Sequence, residues 1–408
     1  MLARLDFDWS PSNSIGGDAE SDIRALGGRY FNLPPFHDEL KLFHVAVLLP
    51  GSEQWKGLQR AGGTSWEFRR ALQKAAGEAV ERLSAFPPDS WLSEPIAASS
   101  LGDRARLIPE QFAFSRAPAS PSSGDRVRWV DGLRLSPQAA TPGLVPAQLV
   151  YLPYNGDEPM WLQPTSNGLA AGRQIEQATW NAILELLERD ALMRCWWGAA
   201  RPRRLPDPRG TGACPDELGQ LLARSDDYRF SAEFLSLPSI AGVTVAACVL
   251  RDLTGIGPPS TLGFKTASDP NVALHGALEE AHQLRPWLRE LMEEGEAPPA
   301  RLKTVEDRAR WWLTGEAQSA LNVWLAAAEQ ARPALQMTTP APLTLGGLIA
   351  ALEADGHEPW IVPLRAPISG YSAVRAIVPT LQPAYFDEDY EALVSGLSQS
   401  TVARHPLL

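Results

Sequence analysis

Two short stretches constrain how this chain can fold more than anything else in it. "AGEAVERLS" (76–84) and "LELLERDAL" (184–192) each carry Glu-x-x-Glu-Arg: Glu78, Glu81 and Arg82 in the first, Glu185, Glu188 and Arg189 in the second. Both sit among strong helix formers, and a Glu followed four residues later by Arg shares one helix face in the favourable order. On an exposed helix such a pair contributes only about 0.2–0.5 kcal/mol, and a solvated face is the plain reading of either triplet alone. The neighbours argue against it. Ala75, Ala76, Ala79 and Val80 surround the first triplet, and Leu184, Leu186, Leu187, Ala191 and Leu192 the second, so each polar stripe is narrow and bounded by apolar residues. Two helices of this kind can face each other across their stripes. Four carboxylates then converge, each close pair repelling by about 4 kcal/mol at roughly 4 Å and an effective dielectric of about 20. The arginines offset part of that. A hard divalent cation offsets more, and carboxylates plus substrate phosphates are what Mg2+ prefers, which makes Glu78, Glu81, Glu185 and Glu188 candidate metal ligands.

A nucleotide held through metal ions needs no phosphate loop, and the sequence has neither GxxxxGK[ST] nor GxGxxG after a strand. "SNGLAAG" (166–172) instead reads as a Gly-rich turn before a helix, where Ser166 and Asn167 can add donors. The net charge of −11 leaves no basic excess to neutralise phosphate backbones, which argues against a nucleic-acid coat. The three cysteines, Cys195, Cys214 and Cys248, are too few and too scattered for a disulfide framework or a zinc site. The N-terminus shows no apolar signal core. The longest apolar runs, "HVAVLLP" and "VTVAACVL", are strand-length and far short of a membrane span, so the reading is a cytoplasmic protein with no membrane partner.

Along the chain, strand patterns appear at 44–50, 145–154 and 239–253, and a hairpin is expected at Asp131-Gly132. Helices are expected over 65–86, 173–197, 271–294 and 301–335, the first stopped by Pro87-Pro88. Strands and helices mix without regular βαβ alternation. The expected fold class is therefore α+β, one large unit with mixed or antiparallel sheets and helices enclosing a Mg–ATP site. The segmentation reads as an irregular N-terminal piece with one strand (1–60), a catalytic unit (61–400) and a C-terminal tail (401–408).

Three stretches in order give a family resemblance. "SNGLAAGRQIEQATWNAILELLERDA" resembles the central ATP-binding motif of the YcaO family, "GGTSWEFRRALQKAAGEAVERLS" its first motif, and "ALHGALEEAHQLR" (273–285) its third. The likeness covers roughly 60–400. It implies an α+β unit that binds ATP and Mg2+ and activates a peptide-bond oxygen by phosphorylation. By position it implies metal ligation by Glu78, Glu81, Glu185 and Glu188, and nucleotide contacts from Arg82, Arg189, Ser166, Asn167, Glu176, Glu280, Gln283 and Arg285. Three positions depart from the pattern: Thr64 stands where a lysine is usual, Lys74 where a serine is common, and Gly276 where the third motif carries a basic residue. Arg69 is the candidate replacement for the missing lysine.

Azoline-forming members end in a Pro-rich tail that reaches the active site, and "ARHPLL" is a partial match. The implied reaction is cyclodehydration: a Cys, Ser or Thr of a precursor peptide attacks the preceding amide, whose oxygen leaves as phosphate, giving thiazoline or oxazoline. His405 and the Leu408 carboxylate are then candidate proton-transfer groups. The resemblance also implies an E1-like, leader-binding partner protein, a separate flavin-dependent azoline dehydrogenase for any oxidation, and two copies of this chain in the assembly. Two alternatives stand beside this reading: a related enzyme making thioamides or amidines, and a non-catalytic scaffold with the same fold.

Overall fold

The computed structural model describes residues 18–50, 60–88, 94–102, 104, 106–112, 122–212, 214–240, 242–330, 343–388 and 404–406. Its first elements are α1 (Ala19–Ala25), β1 (Arg29–Leu33), β2 (Phe43–Leu48), β3 (Arg60–Ser65) and α2 (Phe68–Ser84). Next come β4 (Ile96–Ala97), β5 (Arg126–Val127), β6 (Trp129–Leu135), β7 (Ala140–Pro146), β8 (Leu169–Gly172) and α3 (Ile175–Trp196). Then follow β9 (Arg203–Arg204), α4 (Asp216–Asp227), β10 (Phe230–Leu237), β11 (Thr244–Asp252), β12 (Ser260–Ala267), α5 (Pro270–Gln283) and α6 (Arg285–Glu294). The last are α7 (Val305–Trp312), α8 (Gly315–Ala326), β13 (Glu329–Gln330), α9 (Leu345–Ala354), β14 (Trp360–Leu364) and β15 (Ser372–Ile377).

The strands form sheets of order β1-β2-β3, β12-β11-β10-β9-β13 and β7-β6-β14-β15-β8, with a small β4-β5 pair. All pairings are antiparallel except β13 with β9. This is the expected α+β class. Three times a strand at a sheet's edge leads directly into a helix: β3 into α2, β8 into α3, β12 into α5. Each helix packs on its own strand and on that of the next unit: α2 on β3 and β8, α3 on β8 and β12, α5 on β12 and β3. The three units thus close on one another in a ring.

Residue size explains how closely they approach. α2 buries Ala71, Leu72, Ala75, Ala76, Ala79 and Val80, and α5 buries Ala273, Leu274, Ala277, Leu278 and Ala281. Small side chains let each helix lie tight on its strand. A Cβ at Gly63 or Gly263 would come within 2.1 Å of the Ala71 or Ala277 carbonyl oxygen, so only glycine fits at either contact. α3 is buried on most of its circumference, from Ala178 to Trp196, as befits a helix between sheets.

Several expectations change. Asp131-Gly132 makes no turn: β6 runs through both, and Gly132 gives room to Val145 and the Ile361 carbonyl in neighbouring strands. "SNGLAAG" is a turn plus strand β8, so Ser166 and Asn167 stand well before the start of α3. The helix expected over 271–294 divides at Leu284, because Pro286 lacks the amide a continuous helix needs. Of the helix expected over 301–335, the described part is α7 and α8 followed by β13, and 331–335 lie outside the described residues. The stretch before residue 60 holds a helix and two strands, and β2 pairs along its whole length with β3.

Candidate functional site

α2 and α3 bring both triplets to one place. Glu78 accepts the Gly62 amide at 2.8 Å and pairs with Arg82 at 2.9 Å. α5 repeats the first contact, Glu280 accepting the Phe264 amide at 2.8 Å, and in both cases amide and carboxylate are 16 residues apart. Glu185 and Glu188 lie 3.8 and 3.7 Å from the Arg189 guanidinium. Glu188 also accepts the Thr266 hydroxyl at 3.2 Å, which ties α3 to β12.

The charges act across the helices. Burial pushes the Glu81 carboxyl well above its usual range; Glu185 and Glu78 push in the same direction, while Arg82 and Arg375 oppose. Burial also raises Glu185, with Arg189, Arg82 and Arg375 opposing and Glu188 adding. Burial and Glu188 together bring Glu280 up to about 7. Burial works against the charge on Arg82 and Arg189, but their carboxylate neighbours outweigh it and both are raised. Arg375, on β15, is the member sequence reasoning missed. It donates to the Asn167 carbonyl at 2.8 Å and the Thr165 carbonyl at 2.5 Å, and burial lowers it to about 10 despite Glu185 and Glu81. Its only signal was a lone charge in the alternating run "SAVRAIV".

Five carboxylates (Glu78, Glu81, Glu185, Glu188, Glu280) thus share three guanidinium groups (Arg82, Arg189, Arg375). Arg82 Nε, Arg189 Nη1 and Arg375 Nε are buried without a hydrogen-bond partner. Orphaned donors and buried carboxyls whose charged form is disfavoured mark an incomplete arrangement. A ligand carrying both signs completes it, phosphates for the guanidinium groups and a divalent cation for the carboxylates. Among the described residues no three acidic, His or Cys side chains form a finished metal cage. Mg2+ bound through one or two carboxylates and substrate phosphates requires none. The residues present therefore fit Mg–ATP. Beside Arg375, a cavity of about 70 Å³ is lined by Asn167, Leu186, Gln382 and Tyr385 among mostly apolar side chains. The buried Tyr385 hydroxyl has no partner there.

The other expected residues are placed less favourably. The Asn167 side-chain amide donates to the Ala384 carbonyl at 2.6 Å, and the Ser166 carbonyl accepts the Leu169 amide. Both shape the turn. Glu176 precedes Glu185 by nine residues, about 13 Å along α3 and half a turn round, so it lies off the carboxylate face. Arg69 stands in the same relation to Glu78 and is exposed; it replaces no lysine. Lys74, on the same helix, donates its ammonium to the Thr64 carbonyl at 2.9 Å and pairs with Glu279 at 2.7 Å. Gln283 is exposed at the end of α5. Arg285 is a structural anchor: fully buried, it pairs with Glu39 at 2.6 Å and Asp252 at 2.8 Å and donates to the Pro258 carbonyl. Those contacts occupy the fork a phosphate would need.

His405 is also an anchor. Its imidazole is fully buried between the Pro406 and Tyr385 carbonyls, and burial and Arg308 lower it to about 3. A neutral ring pinned on backbone carbonyls is not positioned as a proton shuttle. The tail is docked, however: Trp196 donates to the Arg404 carbonyl at 2.8 Å and Arg404 pairs with Glu388 at 2.9 Å. Leu408 lies outside the described residues.

Residues 62–382 match the family described as YcaO cyclodehydratase, ATP- and Mg2+-binding. An uncharacterized protein of Methanothermobacter thermautotrophicus is 28% identical over 225 residues, 53% of this chain and 54% of that protein. A heterocyclase solved in complex with substrate and cofactor superposes with a TM-score of 0.71 at 19% identity, over 94% of this chain and 55% of that one. A YcaO protein of Methanopyrus kandleri bound with AMPPCP and Mg2+ gives 0.65 at 20% identity, over 93% of both chains. The chain thus spans about half the length of the first two of these relatives.

Proposed function

The chain belongs to the YcaO family, whose cofactors are ATP and Mg2+, and from that premise we propose that it is an ATP-dependent cyclodehydratase forming azolines from Cys, Ser or Thr of a precursor peptide. The observation that carries the reading is the closed cluster: two Glu-x-x-Glu-Arg helices facing each other, carboxyls raised chiefly by burial, and guanidinium nitrogens left orphaned. Glu78, Glu81, Glu185 and Glu188 would supply oxygen ligands, and Glu280 a further carboxylate. Arg82 and Arg189 hold these carboxylates in place and turn free N–H groups toward an anion. Arg375 fixes the Thr165–Asn167 turn beside them. When bound, Mg–ATP supplies the phosphoryl group that makes the amide oxygen a leaving group. The protein's contribution is positioning and charge neutralisation, as in other phosphoryl transfers.

A leader-binding partner protein, a flavin-dependent dehydrogenase acting afterwards, and a pair of these chains complete the proposed assembly, in the cytoplasm where nucleotide is supplied. No described helix is long and apolar enough to cross a membrane. The test is reconstitution of the chain with a candidate precursor, the partner, Mg2+ and ATP, read by mass spectrometry. Loss of one water per modified residue supports ring formation. Exchange of oxygen for sulfur identifies a thioamide-forming relative, and absence of ATP turnover with intact fold identifies a scaffold.

A further inference from the structure

Gly276 lies on α5 one turn before Glu280, on the same helix face. The space a side chain would fill there is already taken. A Cβ at Gly276 would meet Lys265 of β12, with Cγ at 2.5 Å and Cβ and Cδ at 3.0 Å. The aliphatic stem of Lys265 is therefore laid across the bare helix backbone, held on one side by its strand and on the other by α5. Its ammonium stays exposed and has no hydrogen bond or ion pair among the described residues. It is near enough to Glu280 to favour that carboxyl's charged form, though burial and Glu188 outweigh it.

We propose that Lys265 is an anion ligand of the nucleotide site, presenting its ammonium to a phosphate of bound Mg–ATP from the β12 side of the carboxylate cluster. The proposal rests on the nucleotide-site reading above and adds a residue to it. Lys74 is committed to Glu279 and the Thr64 carbonyl, while Arg82 and Arg189 are paired with carboxylates and keep one unpartnered nitrogen each. Lys265 adds an ammonium with no hydrogen-bond or ion-pair partner among the described residues. An ammonium is a compact charge with three rotatable donors, suited to following a phosphate without dictating its geometry. Part of its entropy cost is already met, because the stem is fixed before ligand arrives.

The experiment is calorimetric titration of the full chain with Mg–AMPPCP, which needs no turnover. Lys265→Ala and Lys265→Gln should each weaken binding roughly tenfold or more, the loss expected for a charged hydrogen bond. Thermal unfolding of Lys265→Gln without nucleotide should be nearly unchanged, because Gln keeps most of the stem over α5 and the ammonium has no internal partner to lose. The double variant Lys265→Ala, Gly276→Lys moves the amine from strand to helix into the vacated space and should recover most of the affinity. Unchanged affinity in both single variants, with normal binding by the parent chain, overturns the role of Lys265 and leaves the site standing. Failure of the parent chain to bind Mg–AMPPCP overturns both.

Discussion

Arg375 joins the site to the fold through a few atoms. Two nitrogens hold the Thr165 and Asn167 carbonyls, and its charge offsets Glu81 and Glu185. Arg375→Met keeps the bulk but orphans two carbonyls and removes one of three guanidinium groups from five carboxylates. We expect a loss of about 3–5 kcal/mol in urea unfolding, the range for breaking a buried ionic network from one side. The exposed pair Arg24–Glu20 should cost under about 1 kcal/mol when broken by Arg24→Ala. Equal losses in the two variants would deny Arg375 this role. Glu280 gives a pH prediction. Its ordinary value of 4.5 rises to about 7 in the fold, so between those values the native state keeps a proton that the unfolded state has lost. Stability from this group is complete below about 4.5 and is lost as pH rises to 7. The depressed histidines His44, His282 and His405 act in the opposite sense below 6.5, so the comparison must be with a variant. Glu280→Gln should match the parent chain's stability near pH 5 and exceed it at pH 8, both without nucleotide. A pH-independent difference would show that Glu280 does not titrate as described. At this scale the carboxylates and their arginines were legible, because a charged triplet among alanines and leucines has few explanations. Arg375 was not, since a lone arginine in a strand carries no pattern, and Arg285 misled because the sequence does not reveal Glu39 and Asp252 as its partners.

The elements are held by contacts that sequence periodicity announces only in part. α2, α3 and α5 were legible from helix formers and apolar spacing; the edge positions of β3, β8 and β12 were not. β8 pairs with β15, whose partners Gly172 and Ser372 lie two hundred residues apart, and no local pattern encodes that register. Gly263 tests the packing of α5. A Cβ there would approach the Ala281 amide nitrogen to 2.3 Å as well as the Ala277 carbonyl, so Gly263→Ala must push the helix off its strand. Overpacking of this kind costs about 1–3 kcal/mol, and it should weaken nucleotide binding too, because Glu280 rides on the displaced helix. Normal Mg–AMPPCP affinity in a destabilised Gly263→Ala would remove α5 from the site. The docked tail is a second case. His405 and Arg404 pin Tyr385 and Glu388, and the same segment holds Asn167 through the Ala384 carbonyl and Asp190 through the Gln382 amide at 2.7 Å. Deleting 404–408 should therefore lower both the melting temperature and the proposed ring formation, the latter by up to about a hundredfold, the cost of slightly misplaced site groups. His405→Gln retains an amide donor for a carbonyl and should keep most of the activity. If His405→Gln instead abolishes ring formation without moving the melting temperature, the imidazole takes part in proton transfer and the anchoring account fails.

Across the whole molecule, three strand–helix units meet in a ring, and each supplies charge to the same centre: Glu78, Glu81 and Arg82 from α2, Glu185, Glu188 and Arg189 from α3, Glu280 from α5. The contacts between units are themselves polar where they approach the centre, with Lys74 reaching from α2 to Glu279 on α5 and Thr266 of β12 reaching to Glu188 on α3. Without ligand, the cluster carries more carboxyls than guanidinium groups, and burial and mutual repulsion disfavour their charged forms. A ligand bringing a divalent cation and phosphates reverses that balance for all three units at once. Mg–AMPPCP at about 100 times its Kd should stabilise the native state by about 2.7 kcal/mol through mass action alone. The ring predicts how that stabilisation is distributed. Hydrogen exchange followed by mass spectrometry should show protection rising together in peptides covering 68–84, 175–196 and 270–283. Mg2+ alone should give a smaller effect, because it answers the carboxylates but leaves the orphaned guanidinium nitrogens of Arg82, Arg189 and Arg375 without a partner. Protection confined to α3 would mean that the nucleotide binds on one helix and that the closure of the three units serves the fold only.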